Sequence, residues 1–402
     1  MNIKMTKITE SVTYAGVLNP GMRTFDVIMH TEYGTSYNSY VVDGSEKTAI
    51  IEASHISFGN AYKGIIDEAL GGKTPDYLIL NHTEPDHSGC VKQVVQWFPY
   101  IEIVCTKAAS IYLKNITNND SLNFKIVKTG DELDLGGKTL QFYAAPFLHW
   151  PDSMFTYLPQ DKVAFTCDFL GSHYCEPQVF DTDVTYPKKY IDSLKNYYDC
   201  IFAPFKPYVL SGLDILNSLD VEIVCPSHGP VLTSGGNLNT VKDAYLEWST
   251  VVERENVLIP IFYCSAYGNT KKIAQAVQKG ILQIFPNAEC ETYNIKNHNI
   301  AELAGLLNGC DAFLLGPLTI NRDVVPPIWQ LLAHADAINM AKRSVALFGS
   351  FGWSGEGFAH TAMRLQQLKC NLYDEQFKVN FVPTEEDLAN AVAFGKRFAQ
   401  TV

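Results

Sequence analysis

Short, nearly uninterrupted apolar runs, each followed by a polar or glycine-rich stretch, set the rhythm of this 402-residue chain. Ser39-Tyr40-Val41-Val42 and Thr48-Ala49-Ile50-Ile51 flank Asp43-Gly44 and read as a hairpin. A helical pattern from about 60 to 70 precedes the run Tyr77-Leu78-Ile79-Leu80. Further runs near 101–105, 139–143, 163–167 and 221–225 are too short for helices and predict buried strands, enough for two sheets in an αββα sandwich. A helical segment ends at Tyr245-Leu246-Glu247-Trp248, and the polar Arg254-Glu255-Asn256 follows. Beyond it, strands near 258–263, 289–293, 312–316 and 344–349 alternate with helical stretches, the pattern of a doubly wound parallel sheet. Thr384 in Pro383-Thr384-Glu385-Glu386-Asp387 is placed to cap the last helix. The expected division is therefore an N-terminal domain over 1–252 and a C-terminal one over 253–402.

Composition narrows the class without naming a function. Apolar residues make up 47% and charged ones 18%, as in an ordinary globular protein large enough for two cores. Thirty-one basic against 43 acidic residues leave a charge of −12, which disfavours nucleic acid and anionic membranes as partners. The start has no apolar stretch of the secretory kind, and no run approaches a membrane span. The ten cysteines never form Cys-x-x-Cys, and Cys105, Cys167, Cys225, Cys264 and Cys310 sit in or beside apolar strands. A reducing, cytoplasmic setting is expected rather than a disulfide scaffold.

Candidate chemistry begins at His82-Thr83-Glu84-Pro85-Asp86-His87-Ser88, directly after the run 77–80. Two imidazoles and two carboxylates delivered to one sheet edge would be costly to bury without a cation among them. His149, Asp168 and His228 each follow a further strand-like run, where an α/β scaffold places functional loops. His82, Glu84, Asp86, His87, His149, Asp168 and His228 make seven candidate ligands, too many for one tetrahedral zinc and suited to two metals sharing a carboxylate. The loop resembles the His-x-His-x-Asp-His motif of the metallo-β-lactamase superfamily, with Glu84 where the second His would stand. A carboxylate there makes the site harder and more anionic, which favours iron or manganese over a hydrolytic zinc pair. Dividing the seven gives one metal to His82, Glu84 and His149 and the other to Asp86, His87 and His228, with Asp168 between them. His173, five positions after Asp168, is a candidate proton donor or hydrogen-bond partner to the site. His30, His55, His298, His334 and His360 lack such company.

The C-terminal half carries an independent signal. Val257-Leu258-Ile259-Pro260-Ile261-Phe262-Tyr263 leads into Ser265-Ala266-Tyr267-Gly268-Asn269-Thr270 and then a helix. Small hydroxyl residues and a glycine between strand and helix form a phosphate cradle of backbone N–H groups. Neither Gly-x-Gly-x-x-Gly nor Gly-Lys-Ser/Thr occurs in it, and it resembles the flavodoxin loop for the single phosphate of FMN. Two more strand-to-loop passages agree: 311–315 into Gly316 and Pro317-Leu318-Thr319-Ile320-Asn321, and 345–348 into Gly349 and Ser350-Phe351-Gly352-Trp353-Ser354-Gly355. Glycines there admit a flat ring, and Phe351 and Trp353 can cover it. Pro317-Leu318 stands where related proteins usually carry Ser-Pro.

A metallo-β-lactamase-like domain followed by a flavodoxin-like domain resembles the flavodiiron proteins, or A-type flavoproteins, over essentially the whole chain. The resemblance implies FMN, two non-haem irons on the seven residues above, and reduction of O2 to water with four electrons. It also implies a rubredoxin-like external donor, since the chain holds no rubredoxin motif, and a head-to-tail homodimer or a tetramer. Reduction of two NO to N2O on the same site is the alternative. A zinc hydrolase with an appended flavodoxin is a second, against which Glu84 and the flavin loops speak. A plain electron carrier with a structural metal is a third.

Overall fold

The computed structural model describes residues 5–251 and 254–402, which separate into two compact units, Met1–Val251 and Val252–Val402. In the first, strands Val12–Tyr14, Tyr40–Asp43, Thr48–Ile51, Tyr77–Ile79, Glu102–Cys105 and Phe124–Ile126 lie side by side in one sheet. Tyr40–Asp43 and Thr48–Ile51 pair antiparallel across the expected hairpin, whereas Thr48–Ile51, Tyr77–Ile79 and Glu102–Cys105 run parallel. A second sheet is ordered Glu132–Asp134, Thr139–Ala144, Met154–Leu158, Val163–Cys167, Ile223–Pro226 and Leu232–Thr233.

Strand periodicity explains the layering. Side chains two apart share a face, so Tyr40, Val42, Ala49, Ile51 and Ile79 meet Leu140, Phe142, Met154 and Phe165 of the other sheet in one core. The intervening Val41, Ile50, Leu78 and Leu80 join a different core with Tyr62, Ile66, Val91, Val94 and Leu113 from the helices Gly59–Leu70, Val91–Trp97 and Lys107–Thr117. On the second sheet's outer face Phe155, Ala164 and Val224 pack with Leu194, Leu213, Val241 and Tyr245 from Pro187–Tyr197, Lys206–Asn217 and Leu238–Ser249. This is the αββα sandwich.

The main sheet of the second unit has the order Thr292–Asn294, Ile261–Tyr263, Ala312–Gly316, Ser344–Phe351, and then Asn371–Leu372 and Phe377–Asn380, every pairing in it parallel. Its two faces carry separate cores, Phe262, Phe313, Leu315 and Leu347 on one and Ile261, Leu314, Ala346 and Phe348 on the other. Helices Asn269–Leu282 and Glu385–Ala399 cover the latter, and no atom larger than hydrogen fits at their crossing. A Cβ on Gly280 would lie 2.0 Å from the Val392 carbonyl oxygen, and one on Gly395 would lie 2.2 Å from that of Val277. Thr384 caps Glu385–Ala399 as expected, in a reciprocal box with Asp387. The strand expected near 289–293 occupies Thr292–Asn294 instead.

Candidate metal centre and flavin site

All seven sequence-predicted ligands meet in the first unit. His82 follows strand Tyr77–Ile79 after Leu80 and Asn81, and Glu84 precedes a four-residue helical turn, Pro85–Ser88, that carries Asp86 and His87. Asp168 and His228 leave the ends of Val163–Cys167 and Ile223–Pro226, and His149 comes from the connection between Thr139–Ala144 and Met154–Leu158. His82, Glu84, Asp86, His87, Asp168 and His228 are buried.

The cluster has two halves. His82, Glu84, His149 and Asp168 offer atoms within 4.8 Å of one another, as do Asp86, His87 and His228. Asp168 joins them: its Oδ2 lies 3.6 Å from His82 Nε2 and 3.5 Å from His149 Nε2, while Oδ1 lies 2.9 Å from His87 Nε2 and 3.4 Å from His228 Nε2. In the first half His82 and His149 both approach Glu84 Oε2, at 3.3 and 3.0 Å. In the second, Asp86 Oδ2 lies 3.0 Å from His228 Nε2, yet neither Asp86 oxygen, nor Asp168 Oδ2, has a hydrogen-bond partner. Buried carboxylate oxygens that nitrogen approaches without a directed hydrogen bond are poorly served by protein alone. Cations at the two points of convergence would satisfy them, and the mixed imidazole and carboxylate donors suit a pair of irons.

Electrostatics point the same way. Burial works against charge on His87, but the neighbouring Asp86 and Asp168 carboxylates outweigh it and push the imidazole up to about 10. His82 is likewise raised despite burial, by Asp152 and Glu84. Glu84 and Asp168 are held low against the cost of burial, Glu84 by hydrogen bonds from His149 and His82, Asp168 chiefly by the charge of His87. Without metal the cluster is thus charged and held together by protons that a cation would replace.

Groups outside the sequence-predicted set orient the ligands. Asp152 is fully buried, with Oδ1 3.2 Å from His82 Nδ1 and Oδ2 accepting from the Thr83 N–H at 2.9 Å and the Thr83 hydroxyl at 2.6 Å. His228 Nδ1 lies 2.6 Å from the Ser36 carbonyl, which turns Nε2 toward the cluster. The Tyr197 hydroxyl donates to Asp168 Oδ1 at 3.1 Å. Asp152 was within reach of sequence reasoning, three residues past His149; Ser36 and Tyr197 were not, being ordinary residues brought in by the fold.

His173 lies behind the cluster rather than in it. Its Nδ1 is 2.9 Å from Thr35 Oγ1, which is itself 3.2 Å from His228 Nδ1, and its Nε2 has no partner. Burial and the neighbouring His228 press it well below the usual imidazole range, so it is neutral. Its contacts are those of a hydrogen-bond partner, one hydroxyl removed from His228.

In the second unit the three loops converge on a cavity of ≈ 280 Å³. Ser265, Ala266, Tyr267, Asn269, Thr270, Leu318, Thr319, Ile320, Ser350, Phe351 and Gly352 line it; Gly268, Pro317, Asn321, Trp353, Ser354 and Gly355 do not. Gly268 has φ 85° and starts the helix Asn269–Leu282, with its N–H on Ser265 Oγ at 3.0 Å. That conformation favours glycine and leaves the helix's first N–H groups facing the cradle. Thr270 and Ser350 hydroxyls stand 3.2 Å apart beside it. Trp353 is 88% exposed. Phe381, absent from the sequence-predicted set, completes the lining; it follows strand Phe377–Asn380 and its N–H bonds the Phe351 carbonyl at 2.8 Å.

Comparison with known proteins decides the family. Residues 35–229 match the ODP family beta-lactamase model and residues 261–395 match flavodoxin. A flavo-diiron protein, FprA2, of Clostridium acetobutylicum is 48% identical, over 98% of this chain and 99% of its own. The chain belongs to the flavodiiron proteins. Its cofactors are accordingly FMN and a non-haem di-iron pair. The coenzyme F420H(2) oxidase of Methanothermobacter marburgensis is 31% identical over the full length of both chains. Among solved structures, rubredoxin oxygen:oxidoreductase from Desulfovibrio gigas superposes with a TM-score of 0.73 at 23% identity, covering 99% of this chain and 98% of its own, a likeness of fold.

Proposed function

We propose that this flavodiiron protein is an oxygen reductase that forms water. The observation that carries the reading is the pair of donor sets joined by Asp168 in a chain that also bears a flavodoxin unit. His82, Glu84 and His149 would hold one iron, Asp86, His87 and His228 the other, and Asp168 both. Ser265 to Thr270 would receive the FMN phosphate, while Leu318, Thr319, Phe351, Gly352 and Phe381 would flank the ring, with Pro317, Asn321, Trp353, Ser354 and Gly355 at its margin. When bound, reduced flavin and the reduced metal pair hold two electrons each, and four electrons with four protons take O2 to two waters. A relative of full length whose name is that of an oxidase supports this use of the electrons.

The chain's own part is placement. Asp152 and Ser36 fix the ring directions of His82 and His228, so each Nε2 meets its ligand site in one orientation. Phe25 and Tyr37 pack on His228 and Trp150 on His82, which limits water at the buried donors. His173 keeps Thr35 in place behind His228. We further propose an external rubredoxin-like donor, a head-to-tail homodimer or a tetramer built from it, and work in the cytoplasm. All ten cysteines are free, and among the described residues no helix is long and apolar enough to cross a membrane.

The test is gas consumption by anaerobically reduced protein loaded with iron and FMN, with O2 and NO supplied in parallel at equal doses. Fast O2 uptake without peroxide is expected. Faster NO loss with N2O formed would overturn the oxygen assignment in favour of nitric oxide reduction. No consumption of either would remove both.

A further inference from the structure

A group of aromatic rings leads from the metal cluster to the surface of the first unit, and no role assigned so far uses it. It starts at Tyr197, whose hydroxyl donates to Asp168 Oδ1 at 3.1 Å and whose ring stands 4.8 Å from that of His173. Tyr197 touches Phe202 at 6.0 Å between ring centroids, and Phe202 touches Tyr245 at 5.8 Å. Tyr245 in turn meets Tyr198 at 5.1 Å and Trp248 at 5.8 Å, and those two lie 5.0 Å apart. Tyr197, Tyr198, Phe202 and Tyr245 are buried, whereas Trp248 is half-buried, with Lys195 Nζ 5.3 Å from its ring centre. The backbone is unusual at the same place. Helix Pro187–Tyr197 runs into a π-helical turn, Tyr198–Phe202, and such turns recur at functional sites.

Packing alone does not account for Tyr245. Its hydroxyl is buried without a partner, at a cost of about 1–3 kcal/mol that a phenylalanine would avoid. A phenol differs from a phenyl ring in one further respect: it gives up an electron far more readily, as does an indole. We propose that Tyr245, Tyr198 and Trp248 are an electron reserve for the metal cluster, which discharges across Phe202 and Tyr197. This role rests on the oxygen-reductase reading above. O2 needs four electrons to become two waters, and with the flavin empty only two are at hand. The reserve supplies the other two, one from a tyrosine and one from Trp248. Each ring loses one electron and one proton and is left a neutral radical, and two further protons from solvent complete the waters. The positive Lys195 disfavours a charged indole, so the Trp248 proton leaves with its electron. Two molecules of a small thiol then return one electron and one proton each by way of Trp248, and pair as a disulfide.

The experiment mixes O2 with full-length protein that carries reduced iron but no FMN, comparing wild type, Y245F, W248F and Y190F. Each is also made with ring-deuterated tyrosine, freeze-quenched and read by electron paramagnetic resonance, with released peroxide measured alongside. Wild type is expected to form tyrosyl and tryptophanyl radicals, told apart because deuteration narrows only the former, and to release no peroxide. Y245F removes an unpartnered hydroxyl and keeps the ring; loss of the Trp248 radical and release of peroxide are expected. W248F should keep a tyrosyl radical that a small thiol quenches more slowly than in wild type. Y190F, whose hydroxyl is also unpartnered but whose ring contacts Tyr174, should match wild type. O2 uptake by wild type without any ring radical overturns the proposal, as does a Y245F that matches wild type in radical and peroxide. No uptake of O2 would instead remove the oxygen-reductase reading, and the reserve with it.

Discussion

Single side chains around the cluster carry separable burdens, and Asp152 is the clearest. It satisfies a ring nitrogen, a backbone N–H and a hydroxyl that are all buried. Asp152→Ala should cost about 2–4 kcal/mol in urea unfolding, because truncation strands those donors, and weaken metal binding roughly 10–100-fold in a competition titration. Asp152→Asn, which keeps an acceptor oxygen, should recover part of both. Glu52 is a second case. It is buried with φ 57°, accepts the Asn81 N–H on Oε1 at 3.0 Å, and leaves Oε2 without a partner. Burial pushes its carboxyl up to about 7 from an ordinary value of 4.5. The folded state therefore keeps a proton that the unfolded chain releases. Glu52 favours folding fully below about 4.5, and that contribution is lost as pH rises through about 7. Chelator-treated protein should show this decline in unfolding free energy between pH 5 and 7.5, and Glu52→Gln should flatten it. A slope unchanged in the glutamine variant would put its source elsewhere.

Among elements, the pair of helices behind the flavin loops offers a contrast. Gly280→Ala sets a methyl group 2.0 Å from a carbonyl oxygen of the helix Glu385–Ala399. The helices must part, which costs about 1–3 kcal/mol. Because Asn269–Leu282 also begins at the phosphate cradle, the variant should release FMN faster in a dilution assay followed by flavin fluorescence. Gly305→Ala, within helix Ile300–Gly309 and with nothing inside 4 Å of the new methyl, should instead stabilise by about 0.5–1 kcal/mol and leave FMN release alone. Equal effects from the two substitutions would mean that helix propensity, not packing, governs this face. The cap at Thr384 is a smaller contribution: Thr384→Ala should cost about 1 kcal/mol, seen in the unfolding of the second unit.

For the whole molecule, the metal centre is a fastening as well as a reaction site. It draws ligands from four separate segments of the first unit, so a cation bound there links strands distant in sequence. Chelation should lower the unfolding temperature of that unit, with restored iron returning about 2.7 kcal/mol once free metal stands a hundredfold above its dissociation constant. Calorimetry of apo, iron-loaded and FMN-loaded protein checks this. A transition that ignores iron would place the cations, if bound, outside the folded cluster.

Much of this protein is decided locally and is legible in its residues. Apolar runs four or five long can only be buried strands, and their alternation with helices fixes a layered α/β class, because period and length are properties of a few neighbouring residues. His82 to His87 declare a metal loop since so dense a set of donors has no cheaper use, and Ser265 to Thr270 declare a phosphate cradle by their place between strand and helix. Both families follow from those two stretches. What tertiary structure alone decides is which distant residues meet. Asp168 can face both halves only because its strand lies beside the one that delivers His228. Ser36, Tyr197 and Phe381 gain their roles from proximity that no spacing encodes, and His173 falls one hydroxyl short of the ligands. Side-chain chemistry is written residue by residue, but a meeting of side chains is a property of the packed chain.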